Sequence, residues 1–196
     1  MNDPRVLDEA AAAVCLAVVG QVRPDQLDLP TPCTQWSLGE LLAHQVAENR
    51  GFAANVINPP GAVNPEIWQP GRPETALEDF AESVNLVTGA FRIADLEAPV
   101  EVREFGVFPA RVAIAMHFVD YLAHSWDIAR AIGLADPMPP RLAEAAIQYA
   151  ALIPADRPDG SAFAPVVAIA EDTSANDKFL GLTGRDPGWT SGEVNS

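Results

Sequence analysis

Proline placement constrains this chain most. A proline locks φ and donates no N–H, so no regular helix runs through one. The 18 prolines of the 196 residues include Pro30 and Pro32, Pro59-Pro60, Pro65, Pro70, Pro73, Pro99, Pro109, Pro139-Pro140 and Pro154. They break the chain into pieces too short for one continuous rod. Between these breaks lie stretches whose apolar residues recur at helical spacing. Residues 3–22 carry Leu7, Ala10, Val14, Ala17 and Val18, with Gly20 and Pro24 as the stop. Ser37-Leu-Gly-Glu40 has the spacing of a capping box and opens a second helix to about residue 56. A third helix is expected over 75–96, built on Leu77, Phe80, Val84, Val87 and Phe91. Pro109 starts a fourth that runs to Ile132, with Gly133 as its stop, and Pro139-Pro140 opens a fifth to about 152.

The intervals carry less pattern. Residues 57–73 read as a long loop, of the kind that rims a pocket, and Trp68 within it is expected to anchor it. Residues 99–105 alternate apolar with charged, as a short strand does, and Gly106 allows a turn. Past Pro154 a turn over 156–160, an extended run over 163–170, a short helix capped by Thr173 or Ser174 and a frayed tail are expected. The fold class is therefore all-α: a four-helix bundle with a short extended or hairpin insertion and a small C-terminal appendage. The bundle occupies 1–153, and 154–196 packs as an extended segment and short helix on the same domain.

Composition narrows the partners. Net charge is −15 and no block of lysine or arginine occurs, so nucleic acid and anionic membrane are poor partners. No apolar run approaches the ~20 residues of a membrane span. The two cysteines, Cys15 and Cys33, lack metal or redox spacing, which suits a reducing cytoplasm. Cys15 reads as a small packed side chain. A small-molecule substrate is the expected partner; a homodimer is compatible with a bundle of this kind, though no residue argues for one.

Chemistry concentrates on the fourth helix. His117, Asp120 and His124 project within about 60° of one another on a helical wheel, and the chain has only three histidines. Asp120 and His124, four apart, stand one turn apart and can converge on one point. On spacing alone the plainer reading is an exposed i,i+4 ion pair, with Asp127 and Arg130 an i,i+3 pair. His44, flanked by Glu40 and Glu48 on the second helix, sits at the margin of the apolar stripe. It adds a second imidazole, and two imidazoles with one carboxylate make a usual open shell for a catalytic divalent ion. Zinc suits mixed nitrogen and oxygen ligands best; nickel, manganese and iron also fit these ligand types.

Several blocks together resemble one family. They are Thr31-Pro-Cys-Thr-Gln-Trp-Ser37, Leu41-Leu-Ala-His44 with Glu48-Asn-Arg-Gly-Phe52, Asp120-Tyr-Leu-Ala-His124-Ser-Trp-Asp127-Ile-Ala-Arg130, Phe163-Ala-Pro165 and Gly184-Arg-Asp-Pro187. In order and separation they are similar to the DinB-like metal-binding superfamily, in the branch of the N-terminal domain of mycothiol-dependent maleylpyruvate isomerase. The resemblance implies a bundle holding a divalent metal on His44, Asp120 and His124, with Asp120 standing where the isomerase carries glutamate. His117, Glu48, Asp127 and Arg130 are then candidates for groups around the ligands or in the substrate pocket. It also implies a metal-dependent transferase or isomerase that uses a mycothiol-type thiol on a small electrophile. The alternatives are a hydrolase working through metal-bound water and a non-catalytic metal- or ligand-binding module.

Overall fold

The computed structural model describes residues 3–158 and 161–191, the side chain of Glu104 excepted. Four long helices dominate: α1 (Pro4–Val19), α2 (Leu38–Ile57), α3 (Pro73–Ile93) and α4 (Ala110–Ala131). A hairpin of β1 (Pro99–Val102) and β2 (Gly106–Pro109) precedes α4, and α5 (Pro140–Ala150) and α6 (Ala175–Leu182) follow it.

The boundaries fall where local chemistry satisfies the free N–H groups of each first turn. Ser37 and Glu40 form the capping box reciprocally: Ser37 N–H donates to Glu40 Oε2 at 2.8 Å, and Glu40 N–H to Ser37 Oγ at 3.4 Å. Ser174, of the two candidates, caps α6 by accepting from Asp177 N–H at 3.0 Å. Proline opens α1, α3 and α5. α4 has no side-chain cap; its first amides, Ala110 and Arg111, donate instead to the carbonyls of Ala98 and Leu96 at 2.9 and 3.0 Å. The helix therefore starts one step past the hairpin's last pair, where the chain still lies beside the residues that lead into β1.

The hairpin pairs Val100 with Phe108 and Val102 with Gly106 in antiparallel register. Expected as one strand followed by a turn, it is closed by Arg103–Phe105, where Arg103 takes φ +40 and Gly106 φ +109. Val100 and Val102 turn inward onto a core of Phe52, Trp68, Val87, Phe91 and Ile114. A larger core joins α1, the first halves of α2 and α3, α4, α5 and α6 through Leu7, Leu41, Phe80, Phe118, Leu122, Trp126, Ala146 and Phe179.

The appendage is thus anchored: Phe179 and Leu180 of α6 are buried in the main core. The run 163–170 is extended without strand pairing, touching α6 through Val167 N–H on the Gly181 carbonyl at 3.0 Å. The last residues of the expected 156–160 turn, and the tail beyond 191, lie outside the described residues. No helix among the described residues is long and apolar enough to cross a membrane.

Residues 57–73 hold one short 3-10 turn, Pro65–Trp68. Trp68 anchors it as expected, buried with its ring 5.1 Å from Phe52. A Cβ on Gly51 would stand 2.3 Å from the Trp68 ring. Alanine gains at most about 1 kcal/mol of helix propensity over glycine, while overpacking costs about 1–3 kcal/mol. Gly51→Ala should therefore destabilise the protein in urea titrations, whereas a midpoint that rises would show that the loop yields without cost.

Candidate metal centre

Two segments that precede helices bring the site together with the middle of α4. The stretch before α2 is folded on itself: Thr31 Oγ1 lies 3.0 and 2.9 Å from the carbonyls of Cys33 and Trp36, and Trp36 N–H donates to Cys33 O at 2.8 Å. Leu38 and Gly39 amides donate to Leu29 and Leu27 carbonyls at 2.9 and 2.8 Å. These bonds hold Trp36 over the second turn of α2 and Cys33 beside His124 and Asp127 of α4. The Trp36 ring lies 4.4 Å from that of His44 and 6.0 Å from that of His124.

Donor atoms of His44, Asp120 and His124 all lie within 4.8 Å of one another. His124 Nε2 is 3.3 Å from Asp120 Oδ1, and the two imidazole centroids are 5.4 Å apart, edge to face. Asp120 is held by its other oxygen: Gln45 Nε2, fully buried, donates to Oδ2 at 2.8 Å. On the far side of His124, Nδ1 donates to Asp127 Oδ2 at 2.8 Å. This carboxylate–histidine arrangement fixes the tautomer that leaves Nε2 facing the other two donors. Asp127 in turn accepts from Arg185 Nη2 at 2.8 Å, with both residues buried.

The electrostatics separate the two imidazoles. Burial pushes the His44 pKa down to about 3; Asp120 opposes this, while His124, Arg103 and Arg185 add to it. His44 is neutral at physiological pH, with a lone pair available. Burial also pushes His124 down, but Asp120 and Asp127 outweigh it and hold its pKa well above that of a free imidazole. For Asp120 burial acts upward, and the His124 charge more than offsets it, keeping the carboxylate ionised. The site is therefore one neutral ligand beside an imidazolium–carboxylate pair.

This predicts a proton count. His44 has no proton to lose, whereas His124 must release one from Nε2 before a cation can take its place. Uptake of a divalent ion should release about one proton per chain near neutrality, and affinity should rise with pH below the raised His124 pKa. The sign for stability is opposite. Since the folded pKa exceeds the ~6.5 of an unfolded histidine, the pair's contribution in ion-free protein is complete below ~6.5 and lost as pH rises through the folded value. Calorimetry in buffers of different protonation enthalpy measures the proton; zero release would sink this charge assignment.

The remaining sequence candidates fall in other places. Glu48, one turn beyond His44, has Oε1 3.7 Å from His44 Nδ1 and is ion-paired with Arg103, whose guanidinium also lies 5.0 Å from the Trp68 ring centroid. Arg130 does not pair with Asp127; its Nη2 donates to the Trp189 carbonyl at 2.7 Å. His117 is fully buried away from the triad, with Nδ1 2.6 Å from Asp8 Oδ1 and Nε2 3.0 Å from Asn49 Oδ1. Its ring stacks on Tyr121, 4.7 Å between centroids. Asn49 spends its amide hydrogens on Ser83 Oγ and Tyr121 OH, so its oxygen accepts from His117 Nε2–H.

Residues that the helical spacing did not single out complete the neighbourhood: Trp36, Gln45, Arg103 and Arg185. Arg185 and Trp36 lie inside the family-like blocks, but nothing local marks them as neighbours of His124.

A groove of about 270 Å³ opens beside His44, lined by Trp36, Glu40, Ala43, Pro70, Gly71 and Pro73. The proline-rich stretch ahead of α3 forms its outer wall, so the long loop does rim a hollow. A larger hollow of about 330 Å³, lined by Arg50, Glu82, Ser83, Asn85 and Leu86, touches none of the three donors.

Comparison with known proteins gives a consistent answer. Residues 9–129 match the family described as the mycothiol maleylpyruvate isomerase N-terminal domain. The uncharacterized proteins MT0763 and Rv0738, from two strains of Mycobacterium tuberculosis, are each 27% identical over 185 residues, covering 93% of this chain and 98% of theirs. Among solved structures, the crystal structure of a histidine-to-alanine mutant of the mycothiol-dependent maleylpyruvate isomerase superposes with TM-score 0.58 at 17% identity. That likeness spans 76% of this chain and 66% of the isomerase, and at such identity it speaks for the DinB-like bundle fold alone. By the extent of the family match, this chain belongs to the mycothiol maleylpyruvate isomerase N-terminal domain family.

Proposed function

We propose that this protein is a divalent-metal-dependent enzyme that uses a mycothiol-type thiol to transfer to, or isomerise, a small electrophile. The observation that carries the proposal is the convergence of His44, Asp120 and His124 beside an open groove. The donors fit such an ion on chemical grounds. They combine two imidazoles, one already neutral, with one carboxylate, the mixture that zinc accepts and that nickel, manganese and iron tolerate. Three protein donors leave positions for an exogenous ligand.

A bound ion would stabilise a cosubstrate thiol as its nucleophilic thiolate at neutral pH. The protein's own groups do the rest. Gln45 pins one Asp120 oxygen, so the other points steadily at the centre. Asp127 holds the His124 ring from behind. The Trp36 ring lies against both imidazoles on one side, and the groove wall of Pro70, Gly71 and Pro73 shapes the approach. Two free cysteines and a thiol cosubstrate suit a reducing cytoplasm.

Elemental analysis of untagged protein, with turnover assays on mycothiol plus maleylpyruvate or a halogenated aromatic electrophile, tests the reading. The expected result is about one divalent ion per chain and turnover that needs both ion and thiol. Ester or amide hydrolysis without thiol would assign a hydrolase instead. A tightly held ion with no turnover of either kind would assign a binding module.

A further inference from the structure

His124 belongs to a second cluster of ligating atoms. Cys33 Sγ and an Asp127 oxygen also lie within 4.8 Å of one of its nitrogens and of each other. Sulfur, imidazole and carboxylate together form a softer donor set than His44, Asp120 and His124, and zinc-type ions favour thiolate. A protein that offers its ion to an external thiol, yet keeps a cysteine this near, faces competition from its own sulfur.

The position that such an ion would occupy is filled by a side chain. Arg185 Nη2 stands 2.8 Å from Asp127 Oδ2 and 3.5 Å from each of Cys33 Sγ and His124 Nδ1. Its Nε adds a contact to Asp127 Oδ1 at 3.4 Å, so the guanidinium forks onto the carboxylate. Nη1 donates to the Thr183 carbonyl at 2.6 Å, and the group lies 5.4 Å from the Phe163 ring centroid. The preceding Gly184 takes φ +78, with the Ala164 carbonyl oxygen 2.5 Å from where a Cβ would stand. Arg185 is 4% exposed and cannot yield its charge by losing a proton.

We propose that Arg185 is a resident cation that shuts metal out of the Cys33–His124–Asp127 cluster, so that the centre is served by nitrogen and oxygen alone and its open positions stay free for an external thiol. Arg185 acts as a positioning residue, and the proposal rests on the metal-dependent reading above. The guanidinium Nη2 stands within 3.5 Å of all three donors, in the space that an ion bound by them would need, so while it is present Asp127 remains an acceptor for His124 Nδ1–H and Cys33 remains unligated.

Cobalt(II) tests this directly, because thiolate ligation adds a near-ultraviolet charge-transfer band. The unaltered chain should bind cobalt without that band. Arg185→Gln, which keeps an N–H donor for Asp127 but removes the charge, should show the band, and adding Cys33→Ser to it should abolish the band. A thiolate band in the unaltered chain, or cobalt-loaded Arg185→Gln without one, overturns the proposal. A readout independent of that variant's folding is alkylation of Cys33 by iodoacetamide in the unaltered chain, Cys15 being fully buried. Cobalt loading should leave its rate unchanged, and protection by cobalt overturns the proposal while the metal-dependent reading stands. No cobalt uptake at all would overturn both.

Discussion

Replacing His117 with alanine should lower the unfolding free energy by about 3–5 kcal/mol and leave divalent-ion uptake nearly intact. The magnitude combines about 1–3 kcal/mol for leaving buried polar groups without a hydrogen-bond partner with a cavity cost of about 2 kcal/mol. Asp8 is 1% exposed, and its Oδ2 already has no hydrogen-bond partner. Without the imidazole, Oδ1 loses its 2.6 Å contact and the whole carboxyl group is stranded in the core. Asn49 loses the donor to its oxygen as well. The vacated space between Phe52, Phe91 and Tyr121, whose rings are all within 5.2 Å of the imidazole centroid, adds a cavity cost of the same sign. Urea unfolding of purified variants measures the loss, and elemental analysis the ion content. A loss below ~1 kcal/mol would mean that Asp8 finds another partner without penalty.

His124→Ala should have the converse profile, with ion affinity falling by more than about 100-fold. Removing a partner behind a ligand typically costs 10–100-fold, and His124 is the donor itself, shared by both carboxylates of the site. Asp127 keeps Arg185 as a counter-ion and Asp120 keeps Gln45, so the variant should still fold well enough to assay. Competition with a chromophoric chelator gives the affinity ratio. If His117→Ala and His124→Ala reduced ion content to the same degree, the division between a structural and a ligating histidine would collapse.

That division was beyond a helical wheel. His117 and His124 share an angular sector, but they are seven residues apart, about 10.5 Å along the axis, too far to serve one ion. α4 is buried on nearly every side, so one angular face meets different neighbours at its two ends: α1 and α2 through Asp8 and Asn49, then the start of α2 through His44 and Trp36. The helices themselves were legible, because proline, glycine and capping residues mark their ends and periodicity fills their interiors. The hairpin's second strand was not, since Gly106-Val-Phe-Pro109 is too short to show a pattern. Arg185 was out of reach for another reason. It comes from a segment without periodicity and meets Asp127 across 58 residues of chain. The pairing of Asp127 with Arg130, three positions on in the same family-like block, was the local guess; the long-range partner prevails because Arg130 is drawn to the Trp189 carbonyl.

Trp36, whose ring lies 4.4 Å from that of His44 at a tilt of 32°, gives the chain a built-in optical reporter. An open-shell ion such as cobalt, nickel or copper seated against that imidazole would quench the indole's emission by close-range electron or energy transfer, while closed-shell zinc would leave it bright. Filling of the centre can therefore be followed in the unlabelled protein by its own fluorescence, and one titration would sort ions by their electronic configuration.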